Sequence, residues 1–110
     1  MAWSPSNAEE TVEAVKDALA AGQTLELLGR GTRRAFGRPV AADAVLDLSR
    51  LTGVVAYQPE ELILVVRPGT PMAEIADLLA TNGQCLAFEP PDFGPLWGLP
   101  AHAGSIGGAV

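Results

Sequence analysis

Two helical periods and several short apolar runs divide this chain. Over residues 6–21, Val12, Val15 and Leu19 recur at i, i+3 and i+7, which predicts a helix with those three side chains on its buried face. Ser6 and Glu9 stand at the spacing of a capping box, and Gly22 stands where a helix-ending glycine belongs. Residues 71–82 carry a second helical period through Met72, Ile75, Leu78 and Leu79. Thr70 is its expected N-cap, with Pro71 at the first helical position, Glu74 in the opening turns and Gly83 at the end.

Between the helices the apolar runs are short, as in strands. Leu25 to Leu28, Val45 to Leu48 and Val54 to Tyr57 each predict a strand. Leu62 to Val66 is continuously apolar, which predicts a strand covered on both faces. Cys85 to Phe88 predicts one more short strand. Residues 89–104 hold four prolines and three glycines with no period, so a long loop is expected there. The order of elements predicts an α+β fold, a small mixed sheet flanked by two helices, in a single domain over 1–110.

Charge changes the picture at one place. The chain carries a formal net charge of −6, yet four of its seven cationic side chains, Arg30, Arg33, Arg34 and Arg38, fall within nine residues. They share this stretch with Gly29, Gly31 and Gly37, directly after the Leu25 to Leu28 run. Glycine lets a backbone bring its N–H groups close to a ligand. Successive N–H groups in a turn form an anion-binding concavity, and arginine adds a donor fork suited to phosphate. The segment Gly29–Arg34 therefore predicts a cradle for a phosphate or diphosphate. A second Gly-rich segment, Gly104-Ser105-Ile106-Gly107-Gly108, has the same small residues and amide donors.

Other classes find little support. A Rossmann loop needs a third glycine where this chain has Arg34, and Pro39 breaks any following helix. A P-loop needs a lysine after its glycines, and the only lysine is Lys16. One histidine, His102, and one cysteine, Cys85, do not make a metal site. Cys85 is expected to be a buried thiol and His102 an ordinary loop residue. Glu9, Glu10 and Glu13 are read as a solvated helix face. The acidic balance argues against nucleic acid as a partner. A single cysteine, no secretory leader and no apolar run of membrane-spanning length point to a cytoplasmic protein. The apolar, Gly-rich stretch at residues 104–110 reads as the middle of a motif, so the chain is expected to be a fragment of a longer protein.

Taken in order, the motifs are the Gly-Arg-Gly-Thr loop at 29–32, Leu-Asp-Leu-Ser-Arg-Leu at 46–51, Tyr-Gln-Pro-Glu-Glu-Leu at 57–62, Pro-Gly-Thr-Pro at 68–71, Leu-Ala-Phe-Glu-Pro-Pro at 86–91 and Ser-Ile-Gly-Gly at 105–108. This set resembles the N-terminal portion of an FAD-binding domain of the vanillyl-alcohol oxidase and p-cresol methylhydroxylase type. Within that family it resembles most the FAD-binding subunits of glycolate oxidase complexes. The resemblance covers about residues 4–110.

It implies that Gly29, Arg30, Gly31, Thr32, Arg33 and Arg34 hold the FAD diphosphate. It implies that Ser105, Ile106, Gly107 and Gly108 form a second flavin-contacting segment, with Pro68 and Gly69 at a strand end beside the cofactor. The first loop has no histidine, which implies non-covalent FAD. It further implies oxidation of a small 2-hydroxy acid, with electrons leaving to a second flavoprotein subunit and an iron–sulfur subunit. The family's second lobe and cap domain lie outside this chain, and no catalytic residue is assigned. Two other readings stay open at this point: a non-catalytic module packing in a complex, and a site for another phosphorylated ligand.

Overall fold

The computed structural model describes residues 2–110. Its strands lie in two sheets. The first is wholly parallel, in the order β1, β3, β2, where β1 is Ala2–Trp3, β2 is Leu25–Leu28 and β3 is Ala44–Asp47. Leu25 pairs with Ala44 and Leu28 with Asp47, while Ala2 and Trp3 pair with Val45 and Leu46 on the other edge. The central strand supplies core residues, with Ala44 and Leu46 almost wholly buried. Parallel neighbours need a long crossover. Between β2 and β3 that crossover is residues 29–43, irregular rather than helical. The Gly-Arg loop is therefore the first part of a sheet connection leaving the carboxyl end of β2.

The second sheet is an antiparallel hairpin of β4 (Val54–Gln58) and β5 (Ile63–Val66). Pro59–Glu61 forms its 3₁₀ turn, closed by Leu62 in the left-handed region at φ +57°. The expected α+β architecture with two main helices is present, its parallel and antiparallel strands divided between two sheets. Two details differ. Leu62 belongs to the turn, not the strand, and Ile63 and Val65 are each 46% exposed rather than covered. A continuous run of branched residues cannot distinguish burial on both faces from a half-open hairpin.

The first helix, α1, spans Ala8–Ala20. Asn7, not Ser6, is its N-cap, its Oδ1 accepting from the Glu10 N–H at 2.9 Å. The Glu10 carboxylate reaches back to the N–H and hydroxyl of Ser6, one residue before the cap, so a capping-box-like pair forms between Asn7 and Glu10 in place of the expected Ser6–Glu9 pair. At the far end Gly22 turns left-handed at φ +66°, with Gln23 N–H on Ala18 O and Gly22 N–H on Leu19 O. The buried face is Ala14 and Ala18, while Val12, Val15 and Leu19 are exposed. At about 100° per residue the two stripes lie roughly 115° apart. The alanines win because small side chains suit the closest approach of the helix to the rest of the chain.

The second helix, α2, spans Met72–Thr81 and buries Ile75 and Leu79, as its period predicts. Pro71 is its N-cap position. Thr70, expected there, is instead fully buried, its hydroxyl donating to Arg67 O at 2.7 Å and accepting from Gly53 N–H at 3.0 Å. Gly83 ends the helix at φ +66°. The strand expected at Cys85–Phe88 is absent and Cys85 is exposed. Gln84 instead ties the helix end to the hairpin, accepting from the Tyr57 hydroxyl and donating to Pro59 O. The segment has no ladder partner, so its apolar residues stay irregular.

Two carboxylates give the fold an acid-sensitive edge. Asp43, just before β3, accepts from the backbone N–H and hydroxyl of Thr24, just before β2, at 2.8 and 3.0 Å. These bonds, the backbone one first, hold Asp43 below the ordinary carboxylate range, and the Ser6 bonds do the same for Glu10. A lowered folded-state pKa adds stability above the unfolded value and loses it as pH falls through the folded one. The melting temperature is therefore expected to fall as pH drops below about 4. Asp43→Asn and Glu10→Gln should each flatten that fall in an acid melting series, and an unchanged slope would contradict the assignment.

Candidate functional site

Strand β2 and the loop leaving its carboxyl end line a cleft of about 460 Å³. In open parallel sheets this is the end where ligands sit. One wall is the loop Gly29–Arg34, with Phe36, Arg38 and Val40 beyond it; the facing walls are Pro90–Phe93 and the segment around Gly104, Ser105 and Gly108.

The loop's main chain is built to bind. Gly31 is left-handed at φ +74°, and a Cβ there would meet nothing within 4 Å. Glycine is thus required at Gly31 for conformation, not for space. Within the loop only Arg34 and Phe36 return N–H bonds, to Gly31 O and Arg33 O. The five successive N–H groups of Gly29 to Arg33 donate to no atom among the described residues. Successive unspent donors with a left-handed glycine among them are an arrangement able to hold an anion. The largely buried Thr32 and Ser105, whose hydroxyls have no partner among the described residues, line the same cleft.

The two Gly-rich segments meet there, although they are far apart in sequence. A Cβ on Gly29 would collide with the Ser105 side chain, and one on Gly104 would come 3.2 Å from Thr32 Oγ1. Arg30 Nε donates to Ala103 O at 2.8 Å, tying the segments together. Behind them, Pro68 O accepts from Gly107 N–H at 2.9 Å, Thr70 O from Ile106 N–H at 3.0 Å, and Pro71 bridges Ser105. The structure therefore places Gly29–Arg34, Ser105 and Gly108 at the cleft. Pro68, Gly69, Ile106 and Gly107 stand one layer behind, as its backing.

Three of the four arginines are already engaged. Arg34 makes a two-pronged bond to Glu26, both arms 3.1 Å. Arg33 donates to Pro91 O at 3.3 Å, and its guanidinium lies 5.1 Å from the Phe93 ring centroid. Four guanidinium groups against the carboxylates of Glu26 and Asp92 still leave the cleft positive in an acidic chain. Their fields favour an anion, while the amides supply the close donors.

Several lining residues escaped the sequence reading: Glu26, Phe36, Phe93, Asp92 and His102. His102 is held left-handed at φ +59°, with its N–H donating to Asp92 Oδ2 at 2.7 Å. A signal was present in the Pro90-Pro91-Asp92-Phe93 run, since a proline-stiffened polar turn is a plausible cleft wall.

Comparison with known proteins decides the family. The sequence profile of the FAD binding domain matches residues 2–110. The chain belongs to this FAD-binding domain family. Its resemblance to glycolate oxidase subunits also holds: it is 35% identical over 98 residues to glycolate oxidase subunit GlcE of Escherichia coli (strain K12). That match takes in 87% of the chain and 28% of the relative, so the chain spans under a third of that protein. Among solved structures, p-cresol methylhydroxylase with substrate bound has a TM-score of 0.66 at 24% identity, over 82% of this chain and 18% of that one. Alkyldihydroxyacetonephosphate synthase has a TM-score of 0.71 at 19% identity, over 97% and 19%. At such identities the likeness is one of fold.

The FAD-binding domain's residues fit the cofactor. A diphosphate needs several close donors and little side-chain bulk, and the amide row, the two hydroxyls and the tight Gly29–Ser105 approach provide both. No helix among the described residues is long and apolar enough to cross a membrane.

Proposed function

We propose that this FAD-binding domain holds the FAD diphosphate between the Gly29–Arg33 amides and the Ser105–Gly108 segment, as part of a glycolate-oxidase-like subunit. The unspent amide row is the single observation that carries the site. The 35% identity to a glycolate oxidase subunit supports the wider activity, oxidation of a small 2-hydroxy acid. Bound FAD supplies the acceptor for the hydride leaving the α-carbon, the hydroxyl proton going to a base. This chain's part is to bind and orient. Its amides and the Thr32 and Ser105 hydroxyls neutralise the diphosphate, Gly29 and Gly104 keep the walls close, and the arginines hold the loops and bias the field. The absence of histidine from the basic loop supports non-covalent attachment. In this reading a second flavoprotein and an iron–sulfur subunit take the electrons, in the cytoplasm.

Titration of the purified protein with FAD, followed by flavin fluorescence, tests the site. Saturable quenching is expected. Gly31→Val forces a branched side chain into φ +74°, a strain of at least about 1–2 kcal/mol. That corresponds to roughly 5- to 30-fold weaker binding. Lys16→Ala on α1 should bind as the wild type does. If the wild-type protein shows no saturable binding, the accessory-module reading takes its place.

A further inference from the structure

We propose that Trp97 is a positioning residue for the diphosphate cradle, acting through one peptide plane; this rests on the reading just given. Trp97 ends the 3₁₀ turn Gly94–Trp97, which Gly98 closes at φ +77°. Its indole Nε1 donates to Thr32 O at 2.9 Å. The indole does not line the cleft, so it acts on the ligand only through Thr32.

A peptide group is planar, with its C=O and N–H pointing in opposite directions. Holding Thr32 O therefore fixes the direction of the Arg33 N–H, which has no acceptor among the described residues. The loop needs such an anchor. Glycines at 29 and 31 loosen it, and a short turn cannot by itself fix every peptide plane. The anchor comes from a segment 65 residues away. Arg30 to Ala103 O and Arg33 to Pro91 O add fastenings on either side, and Phe36 meets Phe93 at 5.1 Å. Residues 91–103 thus form a strap fastened to the cradle, its ends lining the cleft, and Trp97 is the member of it that grips the cradle's own main chain.

The burial of Trp97 is modest, since 43% of the residue is exposed. Its N–H, more than its ring area, is what the cradle uses. Trp97→Phe removes that donor and some bulk. Replacement of Trp97 by benzothienylalanine keeps the fused-ring shape and removes only the N–H.

The experiment measures the affinity of the wild type and both variants for FAD and for adenosine diphosphate, together with melting of the ligand-free proteins. Adenosine diphosphate carries the diphosphate without the flavin ring. Both variants should lose about 5- to 10-fold for both ligands alike, the scale of one neutral hydrogen bond. The isostere's ligand-free melting temperature should fall by no more than the several degrees one hydrogen bond is worth, even if Trp97→Phe folds poorly. Wild-type affinity in the isostere would overturn the positioning role, because packing alone would then suffice. Failure of the wild type to bind either ligand would instead overturn the cofactor site itself, and this inference with it.

Discussion

Gly29→Val is expected to abolish measurable FAD binding while leaving the chain folded. The space a side chain would need at Gly29 is taken by Ser105, which is only 4% exposed. The Ser105 main chain cannot retreat, because it is bridged to Pro71 and its neighbours bond to Thr70 O and Pro68 O, so only its hydroxyl, the atom struck, can turn aside. A branched side chain would pry the two Gly-rich segments apart and open the cradle. Overpacking of this kind costs about 1–3 kcal/mol, and here it falls on the ligand's own contact surface. At the upper end of that range the loss is roughly 100-fold, as expected when both walls lose their grip.

The double change Gly29→Ala with Ser105→Ala isolates the cause. Removing the Ser105 hydroxyl makes room for one methyl group, so the pair should bind like Ser105→Ala alone. Neighbours in contact should be non-additive in this way. Gly29→Val binding within threefold of wild type would refute the close approach.

Gly69→Ala should instead strongly destabilise the fold. A Cβ there would strike Leu48 O and lie 2.8 Å from Leu51 O and 3.1 Å from the Ser49 carbonyl carbon. These are main-chain atoms already in use: Leu51 O accepts from Gly69 N–H at 2.8 Å, and Leu48 O accepts from Leu51 N–H at 3.0 Å. No rotamer relieves the clash, so the loss should reach about 3 kcal/mol. At roughly 4–8 °C per kcal/mol for a domain of this size, thermal melting should fall by more than about 10 °C. Circular dichroism melting of the ligand-free protein reads this directly, and a shift under 3 °C would contradict it. The two glycines thus separate: Gly29 serves the ligand and Gly69 serves the fold.

Much of this was legible because it was local. The face of α2, the left-handed Gly22 and Gly83, and the strand running into a Gly-Arg loop all follow from neighbouring residues. Both halves of the candidate site were visible as Gly-rich segments among polar or small residues. What the sequence hid was pairing at a distance. Alanines at 14 and 18 repeat as regularly as the larger residues on α1, so period alone could not choose between the stripes. Cys85 was expected inside because free cysteine is usually buried, yet the chain after α2 is held by Gln84 and leaves the thiol outside. The roles of the arginines were hidden too. Four cations beside a phosphate loop look like ligands for phosphate, whereas Arg30, Arg33 and Arg34 each hold a carbonyl or a carboxylate of the protein itself. The bond from Trp97 to Thr32 had no local signature at all.

The amide row has a consequence for how this domain can drift through evolution. Recognition carried by backbone hydrogens is almost blind to side-chain identity. Arginines 30 and 33 can be exchanged for other residues without erasing a single donor of the row, and among the natural amino acids only proline deletes one. Lineages of such a domain can therefore diverge widely in the composition of this loop while keeping the same ligand. The positions under the tightest constraint are those that shape the chain, while Arg30 and Arg33 contribute fastenings and charge rather than the donors themselves.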